Sequence, residues 1–427
     1  MHAFFFKVRR AAQSSTDNEE RTMLTRSTNI QATLAAVLTT VGMAASAPAA
    51  SPATPAPDYD FQWATITHAG NAPYLGPNAV PPIPGFPDPG PAYTYGRGSV
   101  PYEYRIAKSE ITSGQWAEFI NAFSARPDYQ QFETLFGRNG FIVDRPIFAA
   151  HPDSDYRGPG RYYSTIADGV DYANWPVFGI SWRDAAMYCN WLHNGKDTSM
   201  ASLLGGAYDT NTWSLGPPPY TDALSHEPGA RFWIPTLDEW IKAVYYDPDK
   251  NGPDQGGWWA YVHGSETPPV SGYPDEPGST TSGLLSGGVG TDLDPLAIPL
   301  GAYVDHGAVS PWGLVDTASG AGEWIEEPFF GDPSSPYLTN RGYMGVYAGS
   351  SLWLEVGAHV STVQGAGPTS GFVLSVRLAS SVPAPSIATP LLTVSGVVLS
   401  CRRRRILPCS TIGDRAVCSW PCSHSRV

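Results

Sequence analysis

The sequence predicts an α+β fold: one strand, then short helices, then a long irregular half built from loops and short strands. Three observations carry this. Tyr102, Tyr104 and Ile106 alternate with polar residues, the period of a half-buried strand. Three later segments repeat apolar residues at helical spacing behind a capping residue. From Tyr246 to Ser381 no helical period is sustained, and no fixed-period repeat is evident.

Taken in order, residues 1–50 read as an N-terminal extension and a secretory signal. Arg26 precedes an apolar run, Ala32 to Ala47, which ends in the small residues Ala45 and Ala47. Basic region, apolar region and A-x-A site are the parts of a signal peptide. The residues before Met23 fit no such plan, so the start is expected at Met23. Residues 51–100 read as a Pro-rich arm, because the run from Asn71 to Pro91 is too dense in proline for a regular element. The domain is placed at 101–380. Thr112, with Gln115 three residues on, forms a capping box, and Trp116, Phe119, Ile120 and Phe123 share one helical face. Ser181 opens a second helix, with Ala185, Cys189 and Leu192 on one face. Thr236 and Glu239 cap a third, which carries Leu237, Trp240, Ile241 and Val244. These faces read as core.

Composition narrows the class. Gly 44 and Pro 41 make about a fifth of the 427 residues, above ordinary usage. Charged residues are 15 %, yet aromatics reach 12 % with 14 Trp, which is not a disordered composition. A loop-rich globular chain with an aromatic core fits. The formal charge of −13 argues against nucleic-acid binding, which needs a basic footprint. Of five cysteines only Cys189 lies in the main body, so the domain has no internal disulfide framework. On its helix Cys189 reads as a buried, inert thiol.

The most informative stretch is GLVDTASGAGEW, Gly313 to Trp324. Asp316 and Glu323 bracket small residues that let the backbone turn tightly. A hard cation such as calcium takes that mixture of carboxylate and carbonyl oxygens. A second acidic loop, Asp247 to Trp258, begins like an EF-hand but ends in Trp258 where the closing Glu belongs, so it reads as a polar loop.

Five blocks, in order, resemble the formylglycine-generating, sulfatase-modifying-factor family: YRIAKSEITSGQWAEFINA, PVFGISWRDAAMYCNWL, RFWIPTLDEWIKAVYY, LGAYVDHGAVSPWGLVDTASGAGEW and SVRLAS. They run from Tyr104 to Ser380, about two thirds of the chain. The resemblance implies an elaborated C-type-lectin-like fold, loop-rich with short helices and strands. It implies a structural calcium held by the side chains of Asp316 and Glu323 and the backbone carbonyls of Ser319 and Ala321. It also implies two copper-binding cysteines after an R-G-G-S-W-type segment, matched here to Gly345–Val360, with slots near Trp353 and Ala358. No cysteine lies between Cys189 and Cys401. Trp and Ala cannot replace the thiolates that hold Cu(I), so copper and the oxidation of a sulfatase cysteine are not expected. Histidine-ligated iron, used by some relatives, needs a local cluster, and the histidines here are scattered singly.

Nucleotide-binding glycine loops and a G-x-S-x-G elbow are absent. Residues 381–405 resemble a PEP-CTERM sorting tail: VPAPS, then Ile387–Ser400, then Arg402–Arg405, with Ala384 in place of the usual Glu. The apolar run of 14 residues is short of the ~20 that span a bilayer unaided. Such a tail implies an exosortase-type partner. Residues 406–427 read as an unstructured tail. The expectation is therefore a secreted, bacterial-envelope protein that binds an extracellular glycan or protein ligand, or serves a structural role, with no nucleic-acid partner and no catalytic residues. The alternative is a formylglycine-generating-type oxidoreductase or another enzyme on the same fold.

Overall fold

A computed structural model describes residues 56–76, 94–138, 151–167, 169–214, 221–284, 298–329, 340–345, 361–364 and 373–383. The chain divides into two units, Met1–Val382 and Pro383–Val427, and the fold below is that of the first. The signal region, the cysteine slots at Trp353 and Ala358, and residues 384–405 of the sorting tail lie outside the described residues, while Ser381 closes a strand of the domain.

Strand β1 (Trp63–Ile66) pairs antiparallel with β2 (Tyr104–Ala107), Ile66 opposite Tyr104. The arm thus contributes a strand where none was expected. Four residues are too few to display a period, and sheet pairing supplies what local pattern lacks. Phe61, Ala64, Ile66 and Tyr74 join the core. All four residues of β2 are buried, so the half-buried alternation does not hold. Arg105 is covered by Asp58, 2.5 Å away, and by the Ala56 carbonyl and Ser380. Tyr102 precedes the strand and is exposed.

The first helix, α1 (Ser113–Ser124), has the expected Thr112–Gln115 box and buries Trp116, Phe119, Ile120 and Phe123. A helix not expected from sequence, α2 (Tyr129–Arg138), follows; its Phe132 stacks on Phe123 with centroids 5.5 Å apart. Next, α3 (Trp182–His193) starts at a Ser181–Asp184 capping box and is buried on nearly every side, Cys189 included. A single turn, α4 (Ala201–Leu204), and the short strand β3 (Phe232–Trp233) lead to α5 (Leu237–Tyr245), capped by Thr236 and Glu239. The later strands are β4 (Gly322–Phe329), β5 (Asn340–Met344), β6 (Ser361–Gln364), β7 (Leu374–Ser375) and β8 (Ala379–Ser381).

These strands form two four-stranded sheets, in the orders β1-β2-β8-β3 and β6-β5-β4-β7. All pairings are antiparallel except β4 with β7. Since β7 belongs to one sheet and β8 to the other, residues 376–378 cross between them. Trp116, Phe119, Tyr188 and Trp191 interlock at centroid spacings from 5.1 to 5.8 Å, joining α1 to α3. Each such side chain contributes about 1.5–3 kcal/mol by leaving water. Among the described residues, no helix is long and apolar enough to cross a membrane.

Phe119→Ala is expected to cost about 3–5 kcal/mol, and Thr112→Ala, which removes only the cap, about 1 kcal/mol. Urea unfolding of each variant measures both.

Candidate functional site

The Gly313–Trp324 stretch ends in β4, and the crossover brings Arg377 against it. Glu323 is wholly buried. Arg377 grips it with two bonds, Nη2 to Oε1 at 2.7 Å and Nε to Oε2 at 2.9 Å. Trp240 of α5 donates Nε1–H to Oε2 at 2.6 Å. The same guanidinium donates to the carbonyls of Ala107 and Val315 at 3.0 and 2.9 Å. Burial pulls the Arg377 pKa down, but the charge and hydrogen bonds of Glu323 outweigh it and raise it.

Asp316 sits at φ 62, a left-handed conformation that Asp tolerates better than most residues. Its Oδ2 accepts from the Gly301 N–H at 2.6 Å and its Oδ1 from the Ser319 hydroxyl at 3.2 Å. Burial lifts its pKa to about 6, against the pull of the Gly301 bond and Arg377. A third acid, Glu110, joins from the segment after β2. Its Oε1 accepts from the Ala321 N–H at 3.1 Å, while Oε2 has no hydrogen-bond partner and lies 3.8 Å from Arg377 Nη2. Burial, then the Glu323 charge, push its pKa far above the carboxylate range. Three buried acids thus face one arginine, and burial shifts Glu110 toward its neutral form. Gly320 is required beside it: at φ +73, a Cβ there would lie 2.6 Å from Glu110 Oε1.

The four expected ligands are therefore together in one loop, but each carboxylate oxygen of Asp316 and Glu323 already accepts a hydrogen bond. Ser319 and Ala321 contribute donors, to Asp316 and Glu110. Among the described residues no group of three or more His, Cys, Asp and Glu is arranged to hold a metal ion. In this arrangement Arg377 places a guanidinium charge directly against Glu323.

A second constellation lies three residues further along β4. Glu326, buried, accepts three hydrogen bonds on Oε1: from Tyr208 hydroxyl at 2.8 Å, and from His226 through its backbone N–H at 2.7 Å and its ring Nδ1 at 2.9 Å. With the Glu326 oxygen as acceptor, the tautomer that makes this bond carries its proton on Nδ1. The His226 ring stacks on Trp233 with centroids 4.7 Å apart. Trp233 in turn donates Nε1–H to Glu239, which also receives the Tyr102 hydroxyl. Burial depresses the His226 pKa, but the Glu326 bond and the charges of Glu326, Glu239 and Glu227 overcome it, leaving it raised.

The sequence matches the sulfatase-modifying factor enzyme 1-like domain over residues 97–367. The chain belongs to this family. Its loop-rich α+β architecture is that of the sulfatase-modifying-factor fold. Solved structures similar to it include CarF (17 % identity, 75 % of this chain and 98 % of that one, TM-score 0.39). They also include Treponema denticola variable protein 1 (17 %, 75 % and 95 %, TM-score 0.37) and PvdO from Pseudomonas aeruginosa (11 %, 74 % and 100 %, TM-score 0.35). A search of curated proteins gave no match.

Other features of this family member fall into place as structure. The Asp247–Trp258 loop joins a two-stranded hairpin, and Asp247 and Asp249 accept backbone N–H groups of the same loop at 2.9 Å. Cys189 is buried, which pushes its thiol pKa well up. Sequence reasoning passed over Glu110, Arg377, His226 and Glu326. Arg377 carried a signal, a lone charge in a largely apolar run (VLSVRLAS), whereas Glu110 lies in a mixed segment beside Lys108. His226 and Glu326 carried none, being 100 residues apart.

Arg377→Met should cost about 3–5 kcal/mol, because it strands the buried Glu323 charge; denaturant midpoints measure it. Glu110 binds its proton more tightly folded than unfolded. Its contribution therefore falls as pH rises from the ordinary carboxylate range toward its raised folded value. Glu110→Gln is expected to flatten that decline, seen as a smaller drop in urea midpoint between pH 4 and about pH 8.

Proposed function

We propose that this chain is a secreted, envelope-associated member of the sulfatase-modifying-factor family that does not perform copper oxidation and acts as a binding or structural module. The observation that carries this is the absence of any cysteine between Cys189 and Cys401. Cu(I) needs soft ligands, and Cys189 is buried and held as a thiol. The signal-like N-terminus and the PEP-CTERM-like segment support export and processing by an exosortase-type partner. Aromatic residues on irregular segments, such as exposed Tyr95, Tyr102 and Tyr162, offer surface for an extracellular glycan or protein.

The test is direct. The purified chain, given Cu(I) and a cysteine-containing sulfatase peptide, should leave the peptide mass unchanged; appearance of the aldehyde product would overturn the reading. Fractionation of cells expressing the intact chain and one ending at Val382 checks the envelope assignment, with release of the shortened chain to the medium expected.

For the Asp316–Glu323 loop we propose that Arg377, rather than calcium, supplies the closing positive charge. Melting temperature should then be the same in calcium and in chelator. A calcium-dependent rise, abolished by Asp316→Ala, would restore the metal.

A second reading, a different reaction on the same fold, is favoured by one observation. His226 is oriented by a buried carboxylate and is still reachable by solvent.

A further inference from the structure

We infer that His226 and Glu326 form a proton-transfer site that hydrolyses neutral esters, with His226 as base and Glu326 as the residue that positions it. This rests on the second reading above and gives it a reaction and a substrate class.

The geometry is that of an oriented base. Glu326 Oε1 receives Nδ1–H, which fixes the tautomer and leaves the Nε2 lone pair free. Nε2 makes no hydrogen bond among the described residues, yet it is not a sealed orphan, and 25 % of the side chain is exposed. The Trp233 indole stacks on the ring at an interplanar angle of 18° and covers one of its faces. Glu326 is itself fixed from the opposite side by the Tyr208 hydroxyl, whose oxygen accepts the Ile234 N–H at 3.0 Å. A loop clip would not need this. The backbone N–H of His226 already ties its loop to Glu326 at 2.7 Å, so the imidazole is not needed to hold the loop.

The surroundings select the substrate. The acids around the dyad are Glu326 on β4, Glu239 and Asp238 on α5, Glu327 beside Glu326 and Glu227 on the histidine's own loop. Two cations lie nearby: Arg97 pairs with Asp238 and Glu327 at 3.2 and 3.0 Å, and the buried Arg341 donates to the backbone carbonyls of Glu326 and Ala223. Anionic substrates are repelled by this field. Exposed Leu224 (52 %) and Tyr102 (43 %) offer apolar surface for an acyl or aryl group.

The step needs no oxidant, metal or cofactor. Nε2 takes a proton from water as the water oxygen bonds to the ester carbonyl carbon. The carbon–alkoxy bond then breaks, and the alcohol leaves with the proton from Nε2. Ester and water become acid and alcohol with no change in oxidation state. A positioned base of this kind contributes about 10²–10⁴-fold.

The experiment uses the full chain and p-nitrophenyl butyrate, with rates measured from pH 5 to about pH 9. The rate should rise as His226 loses its proton, and His226→Ala should lower the plateau about 10²-fold. Glu326→Gln should move the rising limb to lower pH, a shift that a purely structural role would not produce. In parallel, diethyl pyrocarbonate labels histidines on the wild-type chain, with sites mapped by mass spectrometry. This arm and His226→Gln stand in if His226→Ala fails to fold. Fast labelling of His226 with matching loss of hydrolysis supports the inference. Fast labelling with unchanged hydrolysis overturns the ester activity but leaves an accessible base for another reaction. Labelling of His226 no faster than that of the other histidines overturns both.

Discussion

The buried pairing of Arg377 with Glu323 is the constraint around which the domain is arranged. Two charges removed from water cost several kcal/mol each, and mutual attraction offsets this only when the remaining donors and acceptors are also satisfied. Arg377 meets that condition by reaching the carbonyls of Ala107 and Val315 as well as both oxygens of Glu323. Those partners belong to β2, the Gly313–Trp324 loop and β4. Arg377 itself lies where the chain passes from one sheet to the other. The pair can form only when both sheets and the loop are in place, so it ties their assembly into one event. Trp240 connects the same centre to α5.

The helices do not stand alone. At 9 to 12 residues, α1, α3 and α5 are too short to persist in water unaided. Their capping boxes define where they begin, and the interlocked aromatics hold them. This is why tryptophan is frequent in a chain with so little regular structure. Large rings fill the space between irregular segments that cannot interdigitate small side chains as a regular sheet does.

The capped helices were legible because each signal is local: a capping residue, its partner three positions on and an apolar face within one or two turns. Strand β1 and helix α2 were not. The four residues of β1 acquire meaning only opposite β2, and α2 packs through Phe132, which stacks on Phe123 of α1. The loop from Gly313 to Trp324 was legible as acids around a tight turn. Its chemistry was not, because Arg377 arrives from 54 residues away. A guanidinium and a divalent cation ask for the same carboxylates, so the acids alone do not tell which of them is present.

The sequence by itself determined the family, through ordered motifs, and it shows that no cysteine lies between Cys189 and Cys401. The tertiary structure decided how the charges are used. It set Arg377 against Glu323, buried Glu110 beside them, and brought His226 to Glu326. The physical reason is range: a helix is specified by residues within a few positions of one another, whereas a buried charge is defined by whatever the fold places within a few ångströms of it.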